Sequence, residues 1–141
     1  MAAHILRRCL AEAGLADAVE VVSSGLHARD IGSKADPRAA AALHAAGYTS
    51  EHAVRQFELD MFGRYDLIVA LDTGHEELLR QHAPDESPAA EIRLLRSFDP
   101  AASGTFDVPD PVRGDISDYE QVRCLIEAAV LGLVAVIRQR L

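Results

Sequence analysis

Tyr65-Asp66-Leu67-Ile68-Val69-Ala70-Leu71 is the stretch that decides the fold. Its apolar residues run without alternation from Leu67 to Leu71, and such a run marks a strand covered on both faces, as in a parallel sheet. Parallel strands need crossover connections, and helical spacing stands on either side of this one. Downstream, Thr73 is placed to cap a helix that stops before Pro84, and Ile92-Arg93-Leu94-Leu95 reads as another strand. Upstream, Phe57 to Gly63 reads as a short helix. Asp36-Pro37 opens an earlier one, with Asp as N-cap, Pro in the first position and Gly47 as its close. Val19-Glu20-Val21-Val22 predicts a short strand ending at Ser23-Ser24-Gly25, and Ala2 to Ala13 predicts a first helix with Ile5, Leu6, Cys9 and Leu10 on one face and Gly14 as its stop. A long loop from Asp99 to Gly114 leads to the last helix, where Ser117 with Glu120 suggests a capping box and Leu125, Ile126, Ala129, Leu133, Val136 and Ile137 face the core. The class is α/β: a three-layer parallel sheet with helices on both faces, in one domain over residues 1–141.

Composition narrows the function classes. The chain is 49% apolar and 26% charged, which is globular rather than disordered. A net charge of −8 argues against nucleic acid as the main partner, because phosphate backbones select basic surfaces. No apolar run approaches the ~20 residues of a membrane span, and Met1 to Arg8 is too short and too soon charged for a signal peptide. Cys9 and Cys124 both fall on apolar faces of predicted helices, as buried thiols rather than a disulfide or metal pair, which reads as a cytoplasmic protein. His4, His27, His44 and His82 lack ligand spacing and His75 belongs to a helix's first turn, so neither a metal nor another cofactor is expected.

The loop before the last helix holds the candidate chemistry. In Phe106-Asp-Val-Pro-Asp-Pro-Val-Arg-Gly114, Asp110 lies between two prolines that fix φ and offer no N–H. A stiff loop suits a proton donor, which must be held within hydrogen-bond reach of a leaving group. Taken alone, the same residues are also ordinary turn chemistry. Asp72, at the carboxyl end of the central strand, reads first as a helix cap, and Asp36 and Arg38 as a cap and a surface charge.

Over nearly its whole length the chain resembles the low-molecular-weight protein tyrosine phosphatases. The resemblance is carried by Ser23-Ser-Gly25, Ala35-Asp-Pro-Arg38, Gly47 with His52 and Arg55-Gln56, Phe62 to Asp72, Leu94-Leu-Arg-Ser-Phe-Asp-Pro100 and Val108-Pro-Asp-Pro111, in that order. It implies a four-stranded parallel sheet and hydrolysis of phosphate monoesters, chiefly phosphotyrosine, through a cysteinyl-phosphate and without a metal. Asp110 matches the general acid. Ser23 and His52 match residues that support the phosphate loop, against plainer readings as a turn hydroxyl and a surface histidine. Arg29, Val112 and Arg113 occupy positions where the family usually carries aromatic pocket walls; an arginine can partly replace them by lying over a ring.

The family's nucleophile lies in a Cys-x-x-x-x-x-Arg-Ser loop between the first strand and first helix. A helix N-terminus and loop N–H groups there bind phosphate and lower the thiol pKa. Residues 1–141 do not contain it: six positions after Cys9 stands Leu15, and six after Cys124 stands Val130. Aligned on the first helix, Met1 falls just after the motif, so a strand and loop of about 20 residues are expected to be missing. Without that strand its neighbours would stand about 9–10 Å apart. The simplest expectation is an internal methionine of a longer protein, and residues 1–141 inactive as they stand. The alternative closes the gap by strand pairing or by homo-oligomerisation. As rivals to a phosphatase acting on phosphotyrosine proteins or other phosphate monoesters stand a pseudophosphatase that binds a regulatory partner and, remotely, an arsenate reductase. The last needs redox cysteines between Asp72 and Pro88, where there are none.

Overall fold

The computed structural model describes residues 1–26, 36–49, 55–85 and 90–141. In chain order these form α1 (Ala2–Glu12), α2 (Pro37–Ala45), α3 (Met61–Arg64), β1 (Leu67–Ala70), α4 (Thr73–His82), β2 (Glu91–Leu94), a 3₁₀ turn (Leu95–Phe98) and α5 (Ile116–Arg140). β1 and β2 pair in parallel, Leu67 opposite Glu91 and Ala70 opposite Leu94, with α4 as the crossover. The uninterrupted apolar run serves both faces. Ile68 and Ala70 join Phe62, Leu79, Ala90 and Ile92 in one cluster, while Leu67 and Val69 pack against the larger one.

That larger cluster is built around α5, whose Val122, Ile126, Ala129, Val130 and Leu133 meet Ile5 and Leu10 of α1, Leu43 of α2, and Leu95, Phe98 and Val108. Each large apolar side chain fully buried there stabilises the fold by about 1.5–3 kcal/mol. α5 also comes unusually close to the 3₁₀ turn. A Cβ at Gly132 would fall on the backbone carbonyl of Phe98, so only glycine fits. Gly14 and Gly47, with φ of 73° and 82°, end α1 and α2 in the left-handed region, as the sequence predicts.

Several expectations need correction. Val19–Val22 is not a strand; the nearest pairing among the described residues is one isolated parallel bridge, Gly25 to Gln56. A strand requires a neighbour to complete its ladder. Here Val19 and Val21 pack their side chains on the α5 cluster, and the Val21 carbonyl accepts instead from Arg7 Nη2 at 2.8 Å. Asp72, not Thr73, is the N-cap of α4, accepting from His75 N at 2.8 Å. The capping box of α5 is Asp115 with Asp118, two residues before the Ser117–Glu120 pair. The helix expected from Phe57 begins only at Met61. Cys124 is exposed rather than buried.

Candidate functional site

Asp110 stands on a loop fastened at both ends. On its N-terminal side the buried Val108 donates its N–H to the Leu71 carbonyl, at the carboxyl end of β1, at 2.8 Å. Next to it, Asp107 Oδ1 accepts the Thr73 N–H at 2.8 Å and the Thr73 hydroxyl at 2.6 Å. Those bonds, the hydroxyl's first, hold the Asp107 carboxyl below its ordinary range. Arg96, from the 3₁₀ turn, donates to the carbonyls of Thr105 and Asp107 at 3.2 and 3.1 Å.

On the C-terminal side the fastening is a single side chain. Arg38 donates from Nη1 to the Gly114 carbonyl at 2.6 Å and from Nη2 to the Val112 carbonyl at 2.8 Å. Its other face is gripped by Asp36, with Nε to Oδ1 at 3.1 Å and Nη2 to Oδ2 at 2.9 Å, and its guanidinium lies 4.9 Å from the Tyr119 ring centroid. The Arg38 hydrogen bonds hold the Asp36 carboxyl down at about 2. Burial first, and the Asp36 charge second, push the Tyr119 hydroxyl up. Gly114 N–H closes the turn on the Pro111 carbonyl at 2.8 Å.

Between these fastenings stand Pro109, Asp110 and Pro111. The Asp110 carboxylate is exposed, accepts the Val112 N–H on Oδ1 at 3.1 Å, and forms no ion pair among the described residues. One of its oxygens is thus engaged by the loop backbone while the carboxylate stays open to solvent. Val112 and Arg113 are exposed beside it.

Ser23 is half-buried in the turn that the Gly25–Gln56 bridge ties to residues 55–57, through Gly25 N to the Arg55 carbonyl at 2.7 Å and Phe57 N to the Gly25 carbonyl at 2.9 Å. His52 and Arg29 lie outside the described residues. Cys9 is half-buried on α1, and burial, followed by the charges of Glu12 and Glu127, pushes its thiol up, opposite to what thiolate chemistry needs. Cys124 lies within α5, whose backbone N–H groups are engaged in the helix.

Among the described residues no three His, Cys, Asp or Glu side chains converge as metal ligands, and no helix is long and apolar enough to cross a membrane. A cavity of about 320 Å³ bordered by His4, Arg7, Arg8, Gly47, Tyr48 and Thr49 shares no residue with the Asp110 loop. Arg8 fills part of its wall, bound to Glu12 and the Gly47 carbonyl and lying over Tyr48. Arg38 is the residue that sequence reasoning missed. It reads as a surface charge, yet its carbonyl partners lie 74 and 76 positions further on.

The family model described as low molecular weight phosphotyrosine protein phosphatase matches residues 1–141. The low molecular weight protein-tyrosine-phosphatase of Streptomyces coelicolor is 46% identical over 141 residues, 99% of this chain and 86% of that protein. The low molecular weight protein-tyrosine phosphatase A of Mycobacterium tuberculosis is 45% identical, over 100% of this chain and 85% of its own length. Among solved structures, a low molecular weight phosphotyrosine phosphatase of Vibrio cholerae superposes with a TM-score of 0.86 at 26% identity, over 99% of this chain and 88% of that one.

Proposed function

The chain belongs to the low molecular weight phosphotyrosine protein phosphatase family, and from that membership we propose that it serves the hydrolysis of phosphotyrosine, or of another phosphate monoester, with Asp110 as general acid. The observation that carries the reading is the doubly fastened loop, which holds an exposed carboxyl group steady at the carboxyl end of β1. In the first step a cysteine thiolate attacks phosphorus, the P–O bond to the leaving group breaks, and Asp110 gives its proton to the departing phenolate. In the second, Asp110 as carboxylate takes a proton from water while that water attacks the phosphocysteine, releasing phosphate and the thiolate.

Residues 1–141 carry the acid of this mechanism and not its nucleophile, since neither cysteine has an arginine six positions on. Ser23 and His52 support the phosphate loop in this scheme, and Arg29, Val112 and Arg113 border the substrate. Lacking aromatic walls at those three positions, the pocket holds a phenyl ring through arginine faces and one aliphatic side chain.

The test compares two proteins: residues 1–141, and the same chain extended by the codons in frame upstream of Met1. The extended form should hydrolyse an aryl phosphate and residues 1–141 should not. Asp110→Ala in the extended form should lower turnover by about 10²–10⁴-fold, the usual weight of general acid catalysis. Rapid turnover by residues 1–141 would overturn the assignment of a nucleophile beyond them. An in-frame stop directly upstream, or no turnover by either form, would leave the pseudophosphatase reading in its place.

A further inference from the structure

We infer that Arg38 is a positioning residue for Asp110: it sets the direction of the acid by gripping the loop at Val112 and Gly114, an inference that rests on the phosphatase reading above. Asp110 is bounded by anchors two positions before it, at Val108, and two and four positions after it, at Val112 and Gly114. The first anchor is a backbone bond in the sheet's own edge, reinforced by Thr73 and Arg96. The second has no secondary structure behind it. Two backbone carbonyls, both acceptors, meet one guanidinium.

The chemistry of that side chain fits the task. A guanidinium presents a rigid planar fork of donors that can engage several acceptors in fixed directions. Arg38 uses Nε and Nη2 on the Asp36 carboxylate, and Nη1 and Nη2 on the loop. The Tyr119 ring supports its face. Asp36 is in turn the N-cap of α2, accepting the Arg38 N–H at 2.9 Å, so the grip is referred to the rigid start of a helix. Pairing with Asp36 also balances the arginine's charge, which leaves it a mechanical rather than an electrostatic neighbour of the acid. Further on, Gly114 packs so closely on the Asp118 carboxylate of the α5 capping box that a Cβ there would collide with it. The loop is therefore held between α2 and α5, and Arg38 is the link from the α2 side.

A proton donor that is mis-aimed matters only where the leaving group needs its proton. This separates positioning from general damage. In the extended, nucleophile-bearing form, kcat/KM is measured for aryl phosphates whose leaving phenols range from weakly to strongly acidic. Arg38→Met should lower kcat/KM by about 10–10²-fold for the weakly acidic phenols, the scale of a misplacement near 1 Å. It should leave the strongly acidic ones within about threefold, because those depart as phenolates without help. Arg38→Lys, one point charge in place of the fork, should recover only part of the loss. Arg138→Met removes a comparable arginine-to-carbonyl bond, to Ala13, at the far end of α5, and should show no dependence on the leaving group. An equal loss across all phenols, or no loss, overturns the inference.

A second readout needs no turnover. In residues 1–141, amide exchange at Val112 and Gly114, whose N–H groups bond to Asp110 and Pro111, should quicken by about tenfold or more in Arg38→Met, with β1 and β2 amides unchanged. If the extended protein turns over no ester, the phosphatase reading fails while this exchange result still decides whether Arg38 holds the loop. Unchanged exchange at both amides overturns the inference outright.

Discussion

Two stretches of irregular backbone in this molecule were given opposite treatment. Phe106–Gly114 contains two aspartates, two prolines and no strand signal, yet it is anchored by the Leu71 carbonyl, Thr73, Arg96 and Arg38. Val19–Val22 has the composition of a strand, yet among the described residues its backbone joins no ladder. Local propensity favours extended backbone in the second and only turns in the first. What differs is the supply of partners. Side chains from three directions satisfy the loop's polar groups, whereas a strand's groups can be satisfied in series only by another strand.

The largest break in that comparison should come from Gly132→Ala. The added methyl meets the Phe98 carbonyl and must push α5 away from the 3₁₀ turn that carries Arg96. We expect a loss of about 1–3 kcal/mol, the range for overpacking a close contact, read as a lower urea midpoint. An unchanged midpoint would mean that α5 does not set the position of the turn. Asp107→Ala comes next. It strips the acceptor from both the Thr73 N–H and hydroxyl, and should cost about 1 kcal/mol, with faster amide exchange at Val108 as the local sign. Loss of stability without faster exchange at Val108 would place the damage elsewhere.

Acid supplies a subtler probe. Asp36 is held at about 2, below the 3.8 of a free carboxyl, first by the Arg38 side chain. A depressed carboxyl contributes stability that is whole above pH 3.8 and fades as pH falls toward 2. Arg38→Met should flatten that part of the stability-versus-pH curve relative to the unsubstituted chain. Because the Asp36 and Arg38 side chains are each one-third exposed, solvent screening keeps the effect modest. Identical curves would show that the pair stores no folding energy. The smallest effect belongs to the unladdered stretch. Glu20 pairs with Arg64 at 3.1 Å with both side chains about three-fifths exposed, so Glu20→Gln should shift the urea midpoint by no more than about 0.5 kcal/mol's worth. A larger shift would show that this stretch is held more firmly than its backbone bonding indicates.

β1 was legible because it is an uninterrupted apolar run, and β2 because Ile92 and Leu94 alternate with charged residues, signals contained in the residues themselves. The starts of α4 and α5 were legible only to within one or two residues. Asp72 and Thr73, or Asp115 and Ser117, are each able to cap, and the arriving loop selects between them: Thr73 is drawn to Asp107 instead. Cys124 misled because the apolar character of α5 extends beyond its buried stripe, so that Leu131 is also exposed. At the site, Asp110 stood out by its flanking prolines and its family context. Arg38 did not, because its function lies in backbone carbonyls remote in sequence, and carbonyls carry no residue signature.

The separation of those carbonyls has a consequence for the order of assembly. The Arg96–Asp107 link spans 11 positions, the Thr73–Asp107 link 34 and the Arg38–Gly114 link 76. Closing the longest costs about 2 kcal/mol more chain entropy than closing the shortest, so it is favoured only once α2 has docked on α5. The acid's downstream fastening should then be among the last native features to form. In a pulsed-exchange refolding experiment, Gly114 would gain protection after Val108; the reverse order would refute this sequence of events. A chain caught just short of completion would have its sheet, its helices and its acid, with the acid not yet aimed.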